Sequence, residues 1–121
     1  MKLDITSFGF RHGKVDADLV VDCRQIWNPH RDLKLRTMTG LHSKVRDRVL
    51  DTRRAQDILG GITKHIINEL ENDTEQLSIA FGCTGGHHRS VALAQEIYKA
   101  WRRANGVKAT VYHRELKGGG A

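Results

Sequence analysis

Apolar residues recur along this chain with two periods, and the switches between them mark its elements. Leu3, Ile5 and Ser7 alternate with Asp4 and Thr6 ahead of Phe8, which predicts a first strand from about Leu3 to Phe8. Gly9 ends it and Gly13 lets the chain turn. Leu19, Val20 and Val21 form a short apolar run between two aspartates, the pattern of a central strand covered on both faces. Periodicity is lost from Arg24 to Gly40, a stretch that holds the only proline, Pro29. A loop of about 16 residues is long for a small domain and is expected to serve a function. Ser43 is a candidate cap for a helix carrying Val45 and Val49. Gly60-Gly61 leaves the next boundary open, and Ile62, Ile66, Ile67 and Leu70 then line one face of a second helix to about Asn72. Leu77 to Phe81 reads as a strand. A long helix follows from His88 or Arg89 to about Asn105, with Val91, Ala94, Ile97, Tyr98 and Trp101 on one side and Gly106 as its natural C-cap. Val107, Ala109 and Val111 alternate as a last strand.

The order strand, strand, helix, helix, strand, helix, strand predicts an α/β fold. It is expected as a small single-domain mixed sheet flanked by helices, with an anion-binding loop between the third strand and the long helix. The best site would lie at the carboxyl ends of the strands. At 121 residues the chain suits one domain, over residues 1–117, followed by a flexible tail at 118–121 whose three glycines and Ala121 have nothing to bury. With 39% hydrophobic and 28% charged residues it reads as a folded soluble protein. No stretch approaches the roughly 20 apolar residues of a membrane span. Asp4 stands where a signal peptide would be apolar, so a cytoplasmic location and no membrane contact are expected. Two cysteines make neither a disulfide framework nor a metal cluster, and the seven histidines form no zinc motif; no metal and no cofactor are expected.

Charge adds direction. Lys and Arg number 20 against 14 acids, a formal charge of +6, which suits nucleic acid, a phosphorylated ligand or an anionic surface without choosing among them. Between Lys99 and Lys117 bases dominate and Glu115 is the lone acid, whereas Glu69 to Glu75 is acidic.

The most informative segment is Gly82-Cys83-Thr84-Gly85-Gly86-His87-His88-Arg89-Ser90, a small-residue loop between a buried strand and a long helix. Amides at a helix start have no intrahelical partner and can hold an anion. Gly85 and Gly86 let those amides converge without Cβ interference. Arg89 offers a bidentate charge-assisted contact, Thr84 and Ser90 offer hydroxyls, and His88 offers a ligand contact or a proton carrier. The loop is neither a Walker A motif nor a dinucleotide fingerprint. Cys83 and Arg89 do satisfy the C-x5-R spacing of cysteine-dependent phosphatases, where a thiolate at a helix start acts as nucleophile. Gly82 stands where that family has a histidine, and no general-acid aspartate can be assigned, so the reading favours a binding module over an enzyme.

Other loops are expected to complete a pocket. Arg11 and His12 project from the first turn, into a site or into water. Asp22 and Arg24 flank Cys23 and share a strand face, as an ion pair would. Arg36, Thr37, Thr39 and Asn28 lie on the long loop. In a sugar-phosphate or nucleotide site the charge would sit at Gly85 to Ser90, and hydroxyls would be read by Asp22, Asn28 or Thr39.

Four separated motifs then carry a resemblance: Ser7-Phe8-Gly9-Phe10-Arg11-His12-Gly13, Asp22-Cys23-Arg24 with Asn28-Pro29, Leu35-Arg36 with Thr39-Gly40, and the loop from Gly82 to Ser90. Together, over Leu3 to Lys117, the chain resembles the C-terminal domain of the bacterial RapZ/YvcJ family. The resemblance implies a domain that full-length relatives join to an N-terminal P-loop domain. It implies RNA binding and sensing of glucosamine-6-phosphate, as in a family adaptor that presents small RNAs to an endoribonuclease. It also implies assembly into a homo-oligomer. The family's phosphate loop falls on Thr84, Gly85, Gly86, His88, Arg89 and Ser90, its histidine on His12, and its acid and arginines on Asp22, Arg24 and Arg36. The chain departs from the pattern at His42, in place of an aspartate, and in having three glycines where the adaptor has a basic tail. It reads as a standalone domain, so a separate nucleotide-binding protein is an expected partner.

The function expected first is a regulatory or sensor domain for a phosphorylated metabolite, an amino-sugar phosphate or a nucleotide. An RNA-binding adaptor is the alternative, contacting structured RNA through Arg102, Arg103, Lys108, Arg114 and Lys117, with Arg46, Arg48, Arg53 and Arg54 from the middle helices. A phosphatase using Cys83 and Arg89 comes third.

Overall fold

In the computed structural model, which describes residues 1–118, strand β1 (Lys2–Gly9) runs through the middle of a four-stranded sheet. It pairs with β3 (Gln76–Cys83) on one side and β4 (Lys108–His113) on the other, and β2 (Leu19–Asp22) adds to the outer edge of β3. All these pairings are parallel, so the mixed sheet expected from the pattern is corrected: each strand returns to the same end before the next begins. The α/β class is as expected. The expected tail at 118–121 lies, from residue 119 onward, outside the described residues.

Helices α1 (Ser43–Leu50) and α2 (Arg53–Glu71) connect β2 to β3, and α3 (Arg89–Trp101) connects β3 to β4. Alternation puts Leu3, Ile5 and Ser7 with Leu77, Ile79 and Phe81 on the face that α3 covers, and α1 and α2 pack in turn on α3. Burying Val91, Leu93, Ala94 and Ile97 of α3 there contributes roughly 1.5–3 kcal/mol for each large side chain. The other sheet face carries polar pairs, among them Thr110 Oγ1 donating to Asp4 at 2.8 Å and the Ser78 amide donating to Asp18 at 2.8 Å.

Four local expectations change. Leu19–Val21 is an edge strand, with Val20 44% exposed, because it pairs with β3 alone. His42, rather than Ser43, caps α1 by accepting from the Lys44 amide. Helix α2 starts at Arg53, capped by Thr52, and runs through Gly60-Gly61: buried Ala55, Ile62 and Ile66 hold it against the core at more than the cost of about 1 kcal/mol per glycine. Helix α3 stops at Trp101, and Gly106 (φ +78°) belongs to the turn before β4. Among the described residues no helix is long and apolar enough to cross a membrane.

Candidate functional site

A parallel sheet delivers the carboxyl ends of all its strands to one edge, and three loops meet there. The segment after β1 forms a 3-10 turn over Phe10–His12. The segment after β2 includes a second 3-10 turn over Pro29–Arg31, begun by Asn28 accepting from the His30 amide at 3.1 Å. The third is Thr84 to His88, ahead of α3.

This third loop is seated by close backbone approaches. A Cβ on Gly9 would stand 2.5 Å from the Gly85 carbonyl carbon, and one on Gly86 would stand 2.5 Å from the Gly9 nitrogen. Gly86 itself has φ +77°, in the left-handed region. The Arg11 amide donates to the Thr84 carbonyl at 3.1 Å and the Gly40 amide to the His87 carbonyl at 2.8 Å, so both flanks are pinned. The start of α3 has no side-chain cap and no acid in its first turn. The amides of Gly85 to Ser90 find no protein acceptor among the described residues.

These loops enclose a cavity of about 370 Å³. From the expected set, Asn28, Arg36 and Thr39 line it from one side and Thr84, Gly85, Gly86, His88 and Arg89 from the other, with Cys83 between them. Arg11 and Thr37, carried by the loops expected to complete a pocket, line it too, and so do His30, Met38 and His87, which were outside that set. For His87 a signal was available, since it adjoins His88. Among the described residues the lining thus holds three arginines and three histidines and no carboxylate.

Arg89 is 5% exposed. Its Nη1 donates to the carbonyls of Arg24, at 2.9 Å, and Ile26, at 3.2 Å, so part of the guanidinium braces the loop after β2 instead of standing free as a fork. Its buried Nε has no protein partner. Arg36 anchors Nε on the His30 carbonyl at 2.9 Å. His88 is half-buried with an unpartnered Nε2. Burial pushes its pKa down and the neighbouring His87 and His30 add to this, against the opposing pull of the nearby Met38 and Arg36 backbone. This favours the neutral imidazole, which can donate or accept one hydrogen bond at Nε2.

Four expected residues do not line the cavity. Ser90 is fully buried below it, with Oγ 3.1 Å from Cys83 Sγ. Asp22 and Arg24 form the expected ion pair at 2.8 Å, and the Arg24 guanidinium stacks 4.1 Å over the Phe10 ring. The hydrogen bond from Arg24 holds the Asp22 carboxyl below its usual range. His12 is exposed at the end of its turn.

The basic residues expected to meet RNA are dispersed. Arg102 and Arg103 follow α3 at its far end, about 20 Å from its start. Lys108 opens β4 beside Lys2, at the amino edge of the sheet. Lys117 is exposed beyond β4. Arg114 is engaged: it pairs with Glu115 at 2.7 Å and donates to the carbonyls of Gly9 at 3.3 Å and Gly13 at 2.9 Å. Glu115 accepts the Gly9 amide at 2.8 Å. Burial alone would raise the Glu115 pKa, but these hydrogen bonds and the charges of Arg114 and His12 draw it below the usual range.

The family model described as the RapZ C-terminal domain matches residues 1–117. A nucleotide-binding protein of Thermobifida fusca is 40% identical over 121 residues, covering 96% of this chain and 41% of that protein. One from Streptomyces griseus is 37% identical, covering 96% and 36%. Another from a Parafrankia species is 42% identical over 117 residues, covering 93% and 40%. The chain spans about two-fifths of the length of these curated relatives. With the match running through the strands, the glycine-seated loop and all three cavity walls, the chain belongs to the family of RapZ C-terminal domains.

Proposed function

We propose that this domain binds a phosphorylated small molecule, an amino-sugar phosphate or a nucleotide, and acts as a regulatory sensor for it. One observation carries the reading: a cavity lined by three arginines, three histidines and no acid, at the uncapped start of α3. The phosphate would lie against the amides of Gly85 to Ser90, where dipole and unpaired N–H groups favour an anion. Arg36 and Arg11 would close over it from the facing loops, and Asn28, Thr39 and Thr84 would take sugar or ribose hydroxyls. Relatives named nucleotide-binding proteins support a nucleotide-type ligand, although they are longer than this chain.

Calorimetry with glucosamine-6-phosphate, glucose-6-phosphate and a nucleoside monophosphate tests the proposal. Binding of at least one, weakened by Arg36→Ala and by rising salt, is expected; no heat from any of them at low ionic strength would sink it.

A second reading is phosphate-mediated contact with structured RNA, favoured by the net +6 charge and the exposed Arg102, Arg103 and Lys108. These lie away from the cavity, so metabolite and RNA would bind separately. Fluorescence anisotropy across a salt series decides it, and sedimentation of the same samples tests assembly into a homo-oligomer. The phosphatase alternative draws less support, because among the described residues no carboxylate lines the cavity to protonate a leaving group.

A further inference from the structure

Both cysteines of the chain are free thiols, and the sheet sets them side by side. The Cys23 amide donates to the Gly82 carbonyl at 2.7 Å, the last bond of the parallel ladder at the Asp22–Gly82 pair. Continuing that register by one residue places Cys23 next to Cys83. Neighbouring strands run about 4.8 Å apart, within the Cα separation of about 4.4–6.8 Å that a disulfide spans. Alternation puts both side chains on the helix-covered face, two residues after Val21 and Phe81. They share one buried cluster, at 0% and 2% exposed. Burial pushes the Cys23 thiol up, and the closeness of Cys83 pushes it further.

Their surroundings differ. Cys83 lines the cavity, and Ser90 Oγ, 3.1 Å from its sulfur, can donate to the thiolate. Cys23 lies behind it, with its sulfur 3.8 Å from the Val21 carbonyl. The geometry points to Cys23 and Cys83 as an oxidisable pair, closed into a reversible disulfide by a hydroperoxide that enters through the cavity.

In the first step the Cys83 thiolate attacks one peroxide oxygen. The S–O bond forms as the O–O bond breaks, and the departing hydroxide takes a proton to leave as water. In the second step the Cys23 sulfur attacks the sulfenic sulfur of Cys83. The S–S bond forms, the S–O bond breaks, and the hydroxyl leaves as water with the Cys23 proton. Two thiols and one hydrogen peroxide thus become one disulfide and two waters. Closing the bond draws Cys83 away from Ser90. It also tightens the segment after Cys23, whose Arg24 and Ile26 carbonyls hold Arg89. The amides at the start of α3 then shift, so oxidation lowers anion affinity. This last consequence rests on the phosphate-binding reading; the bridge does not.

The test treats the whole chain with a few equivalents of hydrogen peroxide and maps the non-reduced digest by mass spectrometry. A peptide containing Cys23 joined to one containing Cys83, released by dithiothreitol and absent in Cys23→Ala, is expected. Two thiols still free after denaturation, or Cys83 carried to the sulfinic acid without a bridge, would overturn the pair. Phosphate affinity of the reduced and oxidised chains is measured alongside, with a loss of about tenfold expected on oxidation, the worth of one charge-assisted hydrogen bond. Unchanged affinity in a bridged chain would overturn the control of the site. Reduced protein that binds no phosphate would refute the phosphate reading alone, since the digest still decides the bridge.

Discussion

The two edges of the sheet are both rich in bases, yet only one gathers them around a cavity. At the amino edge Arg102, Arg103 and Lys108 stand exposed. At the carboxyl edge Arg89 is buried and tied to two carbonyls, Arg36 is anchored on the His30 carbonyl, and the facing loop is fixed by glycines that leave no room for a methyl group. The same charge can thus be spread on a solvated surface or organised around a cavity. A formal charge of +6 does not distinguish the two; burial and backbone contacts do.

Substitution at the glycine seat breaks the contrast most directly. Gly86→Ala combines positive φ with backbone overlap at Gly9, and a stability loss of about 3–4 kcal/mol is expected in urea denaturation. A change below 1 kcal/mol would mean the loop is not seated as described.

Next comes acid. His113 is fully buried, with Nδ1 2.6 Å from Ser7 Oγ and Nε2 2.9 Å from Gln95 Oε1, and burial pushes its pKa down to about 4. The unfolded chain takes up this proton at higher pH than the folded one. Stability should therefore be complete above the unfolded value of about 6.5 and fall by about 3 kcal/mol as pH drops toward 4. Denaturation curves at several pH values, compared with His113→Gln, check both sign and origin.

Arg36→Ala sharpens the comparison from the ligand side. It should weaken phosphate-ligand binding by about tenfold while moving stability by no more than about 0.5 kcal/mol. Paired replacement of Arg102 and Arg103 by alanine should have the smallest effect, leaving metabolite affinity unchanged and stability within about 0.5 kcal/mol. If that pair matters to metabolite binding as much as Arg36, the two edges are not distinct.

The strands, the long helix and the glycine-rich loop were legible because each rests on local pattern: alternation in Leu3–Phe8, helical spacing through Val91 and Ile97, and consecutive glycines at Gly85-Gly86. The burial of Arg89 was not, since its carbonyl partners, Arg24 and Ile26, lie more than 60 residues away in sequence. His30 and Met38 were missed for a related reason: they reach the cavity through an aperiodic loop whose path depends on Asn28, Pro29 and the pinning of Gly40. Asp22 and Arg24 illustrate the converse. Their pairing followed from spacing, but their position outside the cavity depended on Phe10 receiving the guanidinium.

The chain's own order of residues determined the α/β class and which loop would offer bare amides, because hydrophobic period and glycine conformation act over a few neighbours. The tertiary structure decided that all strands run parallel, which bases surround a cavity and which stand in water, and that two cysteines distant in sequence are neighbours. Those outcomes depend on contacts between segments far apart along the chain, and no local pattern encodes them.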